Sequence, residues 1–397
     1  MPDPRLIDLA PTKVLPFAAS TTAASAAERR PVVVLAGGKT GGHIFPALAV
    51  AEELERRGWS TVFLGTSDGM ERRLAEERGI RFVAVEAAPM LGSGLGQKIK
   101  ALLRTLLSAA QAWHIVRRES ATAVIGTGGF VSAPGVLGGR LAGLPVVLLE
   151  PNASAGLANR WLSRVAGFAA LAHLGTANQL RCPSELTGVP VRDAFFAQSR
   201  RRRHDQEIDV LILGGSQGAR ELNRTLPELL KQAVGASKVR IRHQTGAAGI
   251  EQARTAYAGS WTAEGEDRFS FGASAVQLTT FIDDMPEALG VADLIVSRAG
   301  AVTLAEICAV GRASVLIPLP IAAGHQGDNA RALVEAGAAF AVDEADLSEA
   351  SVLDTLKELL AAPEKLDAMG QAARRLSHEN AAEVIADHVQ TLAEEAA

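Results

Sequence analysis

Two turns rich in glycine carry the clearest chemistry in this chain: GGKTGGH at 37–43 and GGSQGAR at 214–220. Each follows a short apolar run, at 32–35 and 210–213, and each leads into a helical pattern. A turn stripped of side chains exposes backbone N–H groups, and the helix behind it adds the positive end of its dipole. The ligand such turns attract is an anion, above all a phosphate. Two familiar anion motifs do not fit. A Walker loop needs glycine five residues before Gly38, and Val33 stands there. No G-x-G-x-x-G register fits either turn, and the run at 61–64 continues as Gly65-Thr66 without the acid that would hold an adenosine ribose. The anion is therefore neither NAD nor a P-loop nucleotide.

The turns need elements to hold them. Strand-like runs recur at 32–35, 61–64, 81–85, 123–125 and 145–149, and again at 210–213, 239–243, 277–281, 293–296 and 313–317, with helical patterns between. That alternation predicts an α/β fold of two doubly wound parallel sheets, with ligands beyond the carboxyl ends of the strands. A chain of 397 residues has room for two such domains, at roughly 100–200 residues each. Residues 1–30, with four prolines and an Ala/Ser/Thr run, read as a disordered leader, since 14–19 is too short and broken for a secretory core. The four arginines at 200–203 read as a solvated linker, placing domains at 31–196 and 207–362, a linker at 197–206 and further helices at 363–397.

Composition excludes several classes. A net charge of −4 offers nucleic acid no overall attraction, and no apolar stretch reaches the roughly 20 residues of a membrane span. Cys182 and Cys308 are far apart and lack metal-ligand spacing, which suits a reducing cytoplasm. Asp283-Asp284 before Met285-Pro286 reads as a helix cap, so no metal site is assigned.

Eight segments carry a family resemblance: 37–54, 126–135 (GTGGFVSAPG), 150–160 (EPNASAGLANR), 188–192 (GVPVR), 214–220, 281–286 (FIDDMP), 297–306 (SRAGAVTLAE) and 325–330 (HQGDNA). In this order the chain resembles the MurG family of peptidoglycan glycosyltransferases from about residue 31 to 340. The resemblance implies the GT-B architecture, two Rossmann-like domains flanking a cleft, with the C-terminal helix returning to the first. It implies an inverting enzyme that moves N-acetylglucosamine from UDP-N-acetylglucosamine to lipid I, giving lipid II, at the cytoplasmic face of the inner membrane. The partners it implies are lipid I, an anionic membrane surface and other cell-wall proteins. No tightly bound cofactor is implied, and divalent-cation dependence stays open. A UDP-N-acetylglucosamine epimerase and a catalytically silent UDP-sugar-binding protein remain as alternatives of the same architecture.

The resemblance also implies roles. Donor contacts fall on Ser216, Gln217, Ile282, Gly300, Ala301, Val302, Thr303, Glu306, Gln326 and Asn329; Glu306 would take ribose hydroxyls and Ile282 the uracil by its backbone. Thr40, Gly41, Gly42, Asn152 and Arg192 would line the cleft, and Lys39, Gly128 and Gly129 would meet acceptor phosphate. His43 is the candidate general base, because its pKa lies near working pH; the alternatives are acceptor-diphosphate binding or bracing of the loop. Glu150 is a second candidate catalytic group. Lys39, Phe130, Leu149 and Pro151 depart from the family pattern, where glycine, tyrosine, histidine and glutamine are usual.

Between 97 and 110, Ile99, Leu102, Leu103, Leu106, Leu107 and Ala110 form one helical stripe beside Lys98, Lys100 and Arg104. Such a helix either lies in a lipid headgroup region or faces the protein interior.

Overall fold

The computed structural model describes residues 30–38, 40–86, 95–198, 207–215, 218–235, 237–320 and 325–397, with side chains from residue 104 onward in the helix that begins at Leu95. The expected leader, most of the arginine linker, Lys39, Ser216 and Gln217 lie outside the described residues.

The first half holds β1 (Val32–Ala36), α1 (Gly41–Arg56), β2 (Ser60–Gly65), α2 (Met70–Glu76), β3 (Arg81–Ala84), α3 (Leu95–Arg118), β4 (Ala121–Gly126), α4 (Gly129–Leu141), β5 (Val146–Glu150), α5 (Leu157–Leu162), β6 (Phe168–Leu171), β7 (Ser184–Leu186) and α6 (Asp193–Phe196). The second holds β8 (Glu207–Leu213), α7 (Arg220–Val234), β9 (Lys238–Gln244), α8 (Ile250–Ala258), β10 (Thr262–Ala263), β11 (Arg268–Phe271), β12 (Ser274–Thr279), α9 (Met285–Val291), β13 (Leu294–Ser297), α10 (Ala301–Val310), β14 (Ala313–Leu316), α11 (His325–Glu335), β15 (Ala339–Ala341), α12 (Ala350–Ala361), α13 (Pro363–Arg375) and α14 (Ala381–Glu395).

Strand order is β3-β2-β1-β4-β5-β6-β7 in a seven-stranded sheet and β10-β11-β12-β9-β8-β13-β14-β15 in an eight-stranded one. The first is parallel throughout; Ala36 of β1 pairs with Leu64 on one side and Gly126 on the other. In the second, β10, β11 and β12 run antiparallel at one edge, a meander absent from the sequence expectation. The predicted strand at 277–281 instead ends at Thr279, and Phe281 is exposed. Strand β12 alternates buried and exposed residues, as an edge region does, whereas β1, β4, β5 and β13 are buried almost throughout.

Chain order switches to the other side of the first strand between β1 and β4 in the first sheet and between β8 and β13 in the second. There the helices leave to opposite faces and a crevice opens beyond the carboxyl ends of the strands. One face of the first sheet is covered by α1 and α14, through Ile44, Leu48 and Leu54 beside Ile385, Ala386 and Val389. The other face carries α3 and α4, through Ala112, Ile115, Val116 and Val136. Of the two last helices, α13 packs on α10 and β14 of the second sheet and α14 on α1 of the first. Arg57, just after α1, binds Asp387 and Gln390 of α14, and the His388 ring stacks on Phe168 at 3.7 Å.

Ile385 is fully buried under the first sheet. Ile385→Ala is expected to destabilise the first half by about 2–5 kcal/mol. Chemical denaturation should show it; an unchanged midpoint would mean that α14 contributes nothing to that core.

Candidate active site

The crevice between β1 and β4 is built from two turns. After β1 the chain passes Gly37 and Gly38 to Thr40, whose extended backbone caps α1, so that Gly41, Gly42 and His43 form the first helical turn. After β4 it passes Thr127 to Gly128, which caps α4, and Gly129, its first residue, with φ of 92° and 71°. His43 joins the two turns, its Nδ1 lying 2.8 Å from the Thr127 carbonyl. The imidazole rests on the two glycines: a Cβ at Gly128 would lie 3.1 Å from His43 Cε1, and one at Gly129 3.2 Å from Cδ2. Left-handed φ and absent side chains are both required there.

A carbonyl can only accept, so Nδ1 carries the proton and Nε2 keeps its lone pair. Burial lowers the His43 pKa below the usual histidine value; the Thr127 carbonyl and the Glu150 charge oppose the shift, and the charge of His325 adds to it. The ring is therefore neutral near pH 7, with a basic nitrogen available.

Glu150 takes a different place from the one expected of a reacting acid. Its buried carboxylate accepts from the backbone N–H of Asn152 (3.1 Å) and Gly156 (2.9 Å) and from the side-chain amides of Asn152 and Asn159 (3.0 Å each). A carboxylate so occupied orders its loop and acts on His43 through its charge. Asn159 completes this support, its amide also donating to the Leu149 carbonyl at 2.9 Å.

The opposite wall comes from the second half. Gly300 caps α10, and the first intrahelical bond is Leu304 N–H to the Gly300 carbonyl, which leaves the N–H groups of Ala301, Val302 and Thr303 at the helix mouth. Helix α1 touches α10 across the gap. Glu306, one turn further along, has its carboxyl pushed up to about 7 by burial, against the opposing charge of Arg192. Arg192 also lies over the Phe195 ring at 5.1 Å. Ile282 is buried, and Asp284 caps α9 by accepting from the Glu287 N–H at 3.0 Å. Among the described residues, no group of three His, Cys, Asp or Glu is placed to hold a metal ion.

Asn329 and Asn152 meet directly. The Asn329 amide donates to Asn152 Oδ1 at 3.2 Å and to the Ala299 carbonyl at 3.3 Å, while its oxygen accepts from the Ala153 N–H at 2.8 Å. Gln326 Oε1 accepts from the Leu319 N–H at 3.0 Å. His325, just before it, has a buried Nδ1 without a partner and acts electrostatically on His43. Sequence reasoning missed His325, Asn159 and Thr127 as site groups; the one available signal was a histidine directly preceding Gln326.

Of the α3 residues, Arg104, Leu106 and Leu107 are exposed, whereas Ala109, Ala112, Ile115 and Val116 turn inward. The described part of the stripe thus faces outward rather than into the core. The side chains of Lys98, Ile99, Lys100 and Leu103 lie outside the described residues, and Arg104 lines a groove beside β2 and β3. No helix among the described residues is long and apolar enough to cross a membrane.

Two Rossmann-like sheets, each with a crevice at its switch point, form the GT-B architecture found among nucleotide-sugar glycosyltransferases. Residues 32–170 match the glycosyltransferase family 28 N-terminal domain and 209–389 the corresponding C-terminal domain. Over 358 residues, 89% of this chain and 96% of the relative, it is 40% identical to the UDP-N-acetylglucosamine--N-acetylmuramyl-(pentapeptide) pyrophosphoryl-undecaprenol N-acetylglucosamine transferase of Methylococcus capsulatus. It is 39% identical over 370 residues to the protein of that name in Halorhodospira halophila, covering 92% of this chain and 98% of the other. The crystal structure of Acinetobacter baumannii MurG superposes with a TM-score of 0.75 at 33% identity, over 91% of this chain and 99% of that one. A UDP-N-acetylglucosamine 2-epimerase structure from Listeria monocytogenes shares the fold alone, at 14% identity and a TM-score of 0.65 over 92% of this chain and 97% of that one. The chain belongs to glycosyltransferase family 28 and, within it, to the MurG transferases.

Gly128→Ala would force a side chain into left-handed φ against the His43 ring. The expected result is a loss of about 1–2 kcal/mol in stability, together with displaced imidazole resonances in NMR spectra. Unchanged resonances would show that the ring does not depend on this turn.

Proposed function

We propose that this protein transfers N-acetylglucosamine from UDP-N-acetylglucosamine to the C4 hydroxyl of the N-acetylmuramyl-pentapeptide of lipid I, producing lipid II. The observation that carries this reading is the neutral His43, with its Nε2 lone pair available, held between two glycine turns opposite the N-terminus of α10.

The donor lies on the second half. The free N–H groups of Ala301, Val302 and Thr303, with the dipole of α10, meet its pyrophosphate and stabilise the charge that grows on departing UDP. Glu306 accepts the ribose hydroxyls when ionised, Ile282 supports the uracil, and Gln326 and Asn329 serve the sugar; for Asn329 this requires exchange of its bonds to Asn152 and Ala153. Ser216 and Gln217 belong to the same donor set. The acceptor diphosphate lies at the turns of Thr40–Gly42 and Gly128–Gly129, with Lys39 and Arg192 adding positive charge. His43 Nε2 takes the proton of the attacking hydroxyl as the new glycosidic bond forms and the bond to UDP breaks, with inversion at the anomeric carbon. Glu150 and Asn152 hold the loop beside it.

The lipid acceptor brings the protein to the inner membrane as a peripheral enzyme on its cytoplasmic face. Exposed Leu106 and Leu107, continuing the positions of Lys98, Ile99, Lys100 and Leu103 on α3, support that placement, as do exposed Leu141, Leu157 and Trp161. Among the described residues no cluster argues for divalent-cation dependence, and contacts with other cell-wall proteins rest on family resemblance.

Incubation with labelled UDP-N-acetylglucosamine and a short-chain lipid I analogue should yield the disaccharide product; donor turnover without acceptor would contradict transfer and point to an epimerase. His43→Ala is expected to lower kcat about 10²–10⁴-fold with little change in UDP affinity. Equal loss of donor affinity would place His43 elsewhere. Glu306→Ala should weaken UDP binding roughly 10- to 100-fold. Since the free Glu306 carboxyl titrates at about 7 and the ionised form accepts the ribose hydroxyls, UDP affinity should rise with pH through 7 and level off above it. Calorimetry on Glu306→Gln should lose that pH dependence; its persistence would assign it to another group.

A further inference from the structure

A groove of about 430 Å3 lies one strand away from the first glycine turn, within the roughly 300–1,000 Å3 typical of ligand sites. Its walls are the segment after β2 (Thr66, Asp68), the end of β3 (Glu86) and one side of α3 (Arg104, Ser108, Gln111). The groove opens at the carboxyl edge of the first sheet, the edge that also carries His43. Resting on the function proposed above, we infer that this groove binds the peptide stem of the acceptor.

One buried side chain ties the groove to the glycine turn. The Glu71 carboxylate accepts from the Thr66 N–H at 2.9 Å and the Thr66 hydroxyl at 2.8 Å. It also lies directly beneath Gly38, where a Cβ would come within 2.4 Å of Glu71 Oε1. Thr66 and Gly38 are thus neighbours across a single carboxylate, and a molecule whose diphosphate lies on the turn can reach the groove with a substituent of its sugar.

The charged groups of the groove, set beside apolar Ala84, Val85 and Leu107, specify that substituent. Arg104, Asp68 and Glu86 are exposed, and among the described residues none of the three pairs its charge with another side chain. Elsewhere on the surface, neighbouring opposite charges do pair, as Arg72 does with Glu76 and Arg81 with Glu119. The Thr66 and Ser108 hydroxyls and the Gln111 amide oxygen are engaged with Glu71, the Arg104 carbonyl and the Glu86 N–H. Charges of both signs that no described side chain pairs, facing one space, suit a ligand that carries carboxylate and N–H groups together. A peptide joined through its N-terminus to the acceptor sugar has this composition, with its terminal carboxylate free to meet the Arg104 guanidinium. A lipid chain does not, and the donor is held on the other half.

The test compares two water-soluble short-prenyl acceptors without vesicles, one bearing the pentapeptide and one ending in an amide in place of the peptide. Arg104→Ala should raise KM for the pentapeptide acceptor about tenfold or more, with KM for UDP-N-acetylglucosamine and for the peptide-free acceptor unchanged. Glu86→Gln provides an independent variant and should raise the same KM without altering the fold, as monitored by circular dichroism. Equal effects of both substitutions on the two acceptors, or none on either, would overturn the subsite while leaving the transfer reaction standing. Failure of the unsubstituted protein to glycosylate either acceptor would overturn the function and the subsite together.

Discussion

The site depends on one topological constraint: in each sheet the chain reverses its direction of winding, between β1 and β4 and between β8 and β13. Parallel strands must all end at the same edge, and adjacent strands whose helices leave to opposite faces cannot close the space above them. A crevice is therefore unavoidable at each reversal. The glycine turns lie there because a side chain at Gly128 or Gly129 would strike the His43 ring.

Placing the histidine in that crevice sets its chemistry. The bond to the Thr127 carbonyl fixes the tautomer, burial disfavours the imidazolium, and the Glu150 charge limits how far the pKa falls. The result is a neutral imidazole with its Nε2 lone pair open; in the transfer proposed above it is the group that would receive the acceptor proton, with the Glu150 charge favouring the imidazolium so formed. Four hydrogen bonds hold that carboxylate in place. The Asn329 contacts to Asn152 and Ala153 tie the halves at the same level.

Much of the fold was legible because its signals are local. Buried parallel strands read as unbroken apolar runs, and the predicted runs at 32–35, 61–64 and 210–213 all fall inside observed strands. Strands β6, β7 and β15 escaped notice because they are short and built largely from small or polar residues, as Ala169-Ala170, Ser184-Glu185 and Ala339 show, and β10 and β11 because their segment is largely polar and exposed. Site groups followed the same division. As candidates, the glycines, His43 and Glu306 could be singled out through turn and helix-start chemistry, but the structural partner of His43 lies 84 residues away and that of Asn329 177 residues away. Only folding reveals such pairs. The α3 stripe was ambiguous because an outward apolar face and an inward one share a period; exposed Leu106 and Leu107 resolve it for the described turns.

The central claim is that His43 stands as a neutral imidazole protonated on Nδ1 with Nε2 unprotonated. Nitrogen-15 NMR of histidine-labelled protein measures this directly, because protonated and unprotonated ring nitrogens differ widely in shift. At pH 7 the account predicts a pyrrole-type Nδ1 and a pyridine-type Nε2 for His43, with titration only below the usual histidine range. An Nε2-protonated tautomer, or an imidazolium at pH 7, would contradict it.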